Sequence, residues 1–63
     1  MKNLQFGDIV EIDYNNGTKE IATFYGNLKG RNLFDSTKGH FVLSDNYILA
    51  TGVRVLRESE VTR

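Results

Sequence analysis

Residues 7–33 read GDIVEIDYNNGTKEIATFYGNLKGRNL, and this stretch decides the architecture. Val10, Ile12 and Tyr14 alternate with Glu11 and Asp13, the period of a strand with one apolar face. Asn15-Asn16-Gly17 follows, and these residue types accept positive φ at little cost, so the chain turns back there. Ala22, Phe24 and Gly26 continue the alternation on a returning strand, and Asn32-Leu33 closes the stretch. A tight hairpin of this kind opens a very small all-β barrel.

The turn sets the register, and two loop lengths compete. A two-residue Asn-Gly loop places Asp13 opposite Glu20. A three-residue loop with a bulge places Asp13 opposite Lys19. Opposite charges across a strand pair contribute roughly 0.2–1 kcal/mol, which tips the choice to the three-residue loop. Ala22 and Phe24 then share the inner face with Val10 and Ile12. Ile9, Ile21 and Tyr25 fall on the other face, which a half-exposed strand keeps polar. Two readings of that second apolar face stand level. Another segment of the barrel covers it, or a second subunit does, with Ile9, Ile21 and Tyr25 as the oligomer interface.

Outward from the hairpin, strands are expected at residues 8–14 and 19–25. Residues 26–30 form a bend or loop in which Gly26 lets the second strand curl. A short third strand covers residues 31–34, a polar loop 35–39, and apolar strand material 40–43. Residues 44–46 read as a turn, 47–50 as another strand, and 53–56 as the last strand after Thr51-Gly52. Residues 57–63 form a polar tail. The sum is an all-β small barrel of five or six strands, SH3-like or Sm-like. It is closed or nearly closed, because closure removes the exposed edges that invite aggregation.

The chain has 63 residues, which sets one domain over residues 1–63. A chain this short buries only about 60% of the surface it exposes when unfolded. Small domains add a disulfide, a metal or a partner subunit. The chain has no cysteine and one histidine, His40, so self-association is the favoured staple. Eight Lys+Arg balance eight Asp+Glu, which argues against a dedicated duplex-DNA binder. The charges are unevenly spread. Asp8, Glu11, Asp13 and Glu20 make the first hairpin acidic, and Lys29, Arg31 and Lys38 make the middle basic. The first six residues are too few and too polar for a signal peptide, and no run reaches a membrane span, so a cytoplasmic location is expected.

Residues 7–33 resemble the first motif of the Sm and Sm-like proteins. The shared pattern is Gly7, Val10, Ile12, Tyr14 and Gly17, then Ala22, Phe24 and Gly26, then Asn32-Leu33, without a gap. The family's second motif carries an Ile-Arg-Gly triplet; this chain has Leu49-Ala50-Thr51-Gly52 in that region. The resemblance implies assembly into rings through strand edges, and binding of single-stranded RNA.

An enzyme is not expected, nor a cofactor or metal. His40, Asp35 and Asp45 belong to different loops and strand ends, and His40 is the only histidine base available to Ser36, Ser44 or Ser59. Asp13 and Glu20 flank an exposed turn tip, a poor setting for acid–base work. Binding has more support. Lys29 and Arg31 suit phosphate, Asn32 offers a donor and an acceptor, Lys38 adds a cation, and Tyr25 and Tyr47 offer stacking platforms. The plainer alternative is that Asn32 satisfies a buried turn and the tyrosines edge the core. Two function classes follow. One is a homo-oligomeric module binding an RNA segment or small nucleotide through these residues. The other is a protein-interaction module that blocks a larger partner, for which the acidic hairpin suits a basic surface.

Overall fold

The computed structural model describes residues 4–58. In chain order the elements are β1 (Ile9–Asp13), β2 (Lys19–Leu28), β3 (Arg31–Ser36), β4 (Gly39–Ser44), α1 (Asp45–Ala50) and β5 (Gly52–Arg57). The strands form one antiparallel sheet in the order β4-β3-β2-β1-β5.

The hairpin register is the one the sequence favours. Asp13 pairs with Lys19. The Tyr14 N–H donates to the Thr18 carbonyl at 3.1 Å, so the loop is Asn15-Asn16-Gly17. Asn15 and Gly17 hold φ of 62° and 91°, where Asn and Gly are tolerated. The Asp13 carboxylate also accepts the Asn15 N–H at 2.9 Å, so the turn closes on itself as well as on Lys19.

Alternation then builds the core. Val10, Ile12, Ala22, Phe24 and Phe34 turn inward and are buried, and Ile48 of α1 joins them. Phe34 meets Phe24 edge-on at 5.6 Å and stacks on Phe41 at 5.4 Å, both favourable aromatic geometries. Of the second apolar face, Ile9 is half-buried, whereas Ile21 and Tyr25 are exposed.

Four expectations need correction. β2 does not end at Tyr25 but continues to Leu28. Its pairing with β3 shifts between Phe24 and Gly26, where Gly26 sits at φ 136°. This bulge lets the strand curl without losing its partner. β3 likewise runs on to Ser36, so the polar loop shrinks to Thr37-Lys38. Third, residues 45–50 are a helix, not a turn and a strand. Ser44 Oγ accepts the Tyr47 N–H at 3.1 Å, and Asp45 sits in the first turn. These are helix-start signals, and they override an apolar run too short to reveal its period. A six-residue helix is marginal alone, so the burial of Ile48 holds it in place. There is accordingly no sixth strand among the described residues. β4 and β5 remain the sheet's two edges, and the sheet is not closed as a barrel.

The fourth correction concerns Asp8. It precedes β1 and is 1% exposed, so it adds nothing to an acidic surface. Its carboxylate accepts the Gln5 N–H at 2.8 Å, and its carbonyl accepts the Phe24 N–H at 2.8 Å. Of the polar tail, Arg57 belongs to β5 and residues 59–63 lie outside the described residues. Among the described residues no helix is long and apolar enough to cross a membrane.

Candidate anion-binding site

The turn between β2 and β3 is two residues long, Lys29-Gly30, with Leu28 paired to Arg31 across it. Both turn residues have positive φ, 54° for Lys29 and 82° for Gly30. Glycine meets this without strain. For a lysine the left-handed region costs about 1–2 kcal/mol. Such strain persists only where surrounding structure imposes it.

The surroundings here are a polar network built from four elements. Asn27 Oδ1 accepts the Gly30 N–H at 3.1 Å. Asn27 Nδ2 donates to Asn32 Oδ1 at 2.9 Å and to Asp45 Oδ1 at 3.0 Å. Asn32 Nδ2 donates to Asp45 Oδ1 at 2.8 Å and to the Leu43 carbonyl at 3.0 Å. The Asp45 N–H donates to the Gly30 carbonyl at 2.9 Å. Asn32 is buried, and both its amide hydrogens and its oxygen are committed. Hydrogen bonds to an ionised carboxylate are the stronger kind, and buried members cannot be lost cheaply. The network therefore locks β2, β3, β4 and the start of α1 around the turn.

Lys29 and Arg31 project from this braced turn, exposed, and among the described residues neither has an ion-pair partner. The carboxylates are used very differently. Glu11 pairs with Arg54 at 2.9 Å. Asp13 caps the β1–β2 turn, Asp35 meets His40 Nδ1 at 3.1 Å, and Asp45 serves the network. Glu20 Oε1 accepts the Tyr14 hydroxyl at 2.8 Å. Burial of the phenol, and then the nearby Glu20, push the Tyr14 pKa up to about 12.

The structure divides the residues that sequence reasoning grouped. Lys29 and Arg31 stand together. Asn32, next in sequence to Arg31, is instead buried and bonded to Asn27, Leu43 and Asp45. Lys38 is at the far end of β3, in the Thr37-Lys38 turn, where it shares a shallow groove with Tyr14, Lys19 and Ile21. Tyr47 lies on α1 with its ring 6.3 Å from Tyr14. Tyr25 lies on the outer face, stacked on Phe6 at 5.6 Å and 6.5 Å from the His40 ring. Sequence reasoning missed Asn27 and Asp45. Asp45 directly follows Ser44, a helix-start signal that marked the position. Nothing local marked Asn27, whose role depends on the bulge at Gly26.

Comparison of this chain with family models, curated proteins and solved structures found no match.

Proposed function

We propose that this protein is a non-enzymatic binding module that holds a phosphate-bearing ligand, an RNA segment or a small nucleotide, at the β2–β3 turn. Lys29 and Arg31 supply the charge; Asn27, Asn32 and Asp45 fix the turn that carries them. One observation carries the reading. The carboxylates Glu11, Asp13, Glu20, Asp35 and Asp45 are satisfied within the fold, whereas the two cations of this strained, braced turn are left to solvent. The network fixes the backbone that carries both cations, so binding has only their side chains to order. The resemblance of residues 7–33 to Sm-like proteins points the same way.

The test is binding of a short single-stranded oligoribonucleotide across a salt series. Phosphate-driven binding weakens steeply as salt rises. Lys29→Ala with Arg31→Ala is expected to cut affinity more than about tenfold, since each charge-assisted hydrogen bond contributes roughly 1.5–3 kcal/mol. The melting temperature should not fall. Unchanged affinity in a folded double variant removes the proposal.

A second reading rests on a different surface. The Phe6–Tyr25 stack is exposed on the outer face, at 69% and 43% of the residues' full surface, with Ile21 exposed nearby at 50%. Exposed aromatic clusters suit a protein partner or a second copy, and the unpaired edges of β4 and β5 add capacity for self-association. Ile21→Asp is expected to shift any oligomer toward monomer in sedimentation velocity. An unchanged distribution removes Ile21 from the interface.

A further inference from the structure

The Asn16-Gly17 step of the β1–β2 turn takes no part in the binding reading, yet its chemistry stands apart from the rest of the chain. The sequence has six asparagines, and Asn16 is the one followed by glycine. Both residues are exposed, and a Cβ built on Gly17 meets nothing within 4 Å, so no other part of the fold crowds that side of the glycine. The Gly17 N–H has no hydrogen-bond partner among the described residues. Asn16 Oδ1, in contrast, accepts two hydrogen bonds from one neighbour, the Thr18 N–H at 3.0 Å and the Thr18 hydroxyl.

The geometry points to Asn16 as a self-modifying position, converted by water to aspartate and isoaspartate through attack of the Gly17 amide nitrogen. In the first step the Gly17 nitrogen, giving up its proton, bonds to Asn16 Cγ. The Cγ–Nδ2 bond breaks and ammonia leaves, closing a five-membered succinimide. In the second step water opens either carbonyl of that ring. One opening gives aspartate; the other gives isoaspartate, with the main chain routed through the former side chain. The sum is asparagine plus water giving a carboxylic acid plus ammonia, with no change of oxidation state. As the nitrogen attacks, negative charge gathers on Oδ1. The two Thr18 donors already point at that oxygen, the arrangement that stabilises a tetrahedral oxyanion. The unpaired nitrogen has no hydrogen bond to break before it reacts. The product adds a negative charge at the turn tip, and isoaspartate lengthens the main chain there by one carbon. That lengthening pulls at the neighbouring bond from Asn15 Nδ2 to the Ala50 carbonyl, 3.0 Å, which fastens the tip to α1.

The test uses the folded full-length chain, held at physiological temperature and mildly alkaline pH, with mass-spectrometric peptide mapping and an isoaspartate assay over time. Asn16 is expected to gain one mass unit as a mixture of aspartate and isoaspartate, while the other five asparagines stay intact. Thr18→Ala is expected to slow the conversion several-fold by removing the hydroxyl donor, and Thr18→Ser to restore it. Thr18 is exposed, so both variants should fold, and circular dichroism checks this. Asn16 remaining intact over an interval in which the urea-denatured chain converts would overturn the inference. Equal rates for wild type, Thr18→Ala and Thr18→Ser would overturn the assisting role of Thr18.

Discussion

The β1–β2 turn holds Asn15 at φ 62°, and the β2–β3 turn holds Lys29 at φ 54°. The backbones make the same demand, and the sequence answers it in two ways. Asparagine tolerates the left-handed region, and Asn15 is tied by bonds that water can replace, to Asp13 and to the Ala50 carbonyl. Lysine does not tolerate it, and Lys29 is held by a network whose central member, Asn32, is buried. The first turn is an economical way to reverse the chain. The second is strained, rigid and topped by unpaired cations. Strain of this kind persists only where the surrounding structure imposes it, and the proposed function gives a reason for keeping it here.

The sharpest way to break this contrast is to remove the buried brace. Asn32→Ala leaves the Leu43 carbonyl and the Asp45 and Asn27 side chains short of partners, and is expected to cost about 2–3 kcal/mol in urea unfolding. A cost below about 0.5 kcal/mol, the range of ordinary surface changes, would mean that the network does not hold the turn. Next in size is relief of the strain itself. Lys29→Gly should stabilise the protein by about 1 kcal/mol, while Asn15→Gly should change it by a few tenths at most. Equal effects at the two positions would erase the distinction between the turns.

A third prediction uses alkaline pH at the β1–β2 end. Tyr14 ionises near pH 12 in the folded protein against 10.0 for an ordinary tyrosine. Above pH 10 the unfolded chain therefore loses this proton first. The folded state then binds more protons than the unfolded one, and stability falls as pH rises. The stabilisation is complete below pH 10 and gone above the folded pKa. Tyr14→Phe should lose roughly 1 kcal/mol at neutral pH, for the hydrogen bond to Glu20, and should lack this alkaline decline. A parallel decline in both proteins would place its cause elsewhere. The smallest effect is expected for Arg54→Ala. It breaks an exposed pair with Glu11 and should cost well under about 1 kcal/mol in thermal denaturation.

The comparison also explains what could be read from the sequence. The β1–β2 turn was legible to the register, because Asn-Asn-Gly is local turn chemistry and the alternation of Val10, Ile12, Ala22 and Phe24 fixes which face turns inward. The inward face of the sheet was legible for the same reason. The β2–β3 turn was half legible. Lys29 and Arg31 stand out as a basic pair, but their separation from Lys38 follows from the extended length of β3, whose polar residues Asp35 and Ser36 read as loop. The sequence leaves Asn32 with two readings, ligand contact or buried turn, since two of its three partners lie 11 and 13 positions away, at Leu43 and Asp45. The open sheet was not legible from apolar pattern alone. Tyr47-Ile48-Leu49 fits a strand or a helix equally well, and the choice rested on the Ser44 cap.

The most direct test of the central claim is a map of amide chemical-shift changes as a short single-stranded oligoribonucleotide is titrated into the labelled protein at low salt. Changes centred on the Lys29, Gly30, Arg31 and Asn32 amides, fading as salt is added, are the predicted result. Shifts that leave those four amides in place, or that gather instead around Phe6, Tyr25 and His40, would contradict it.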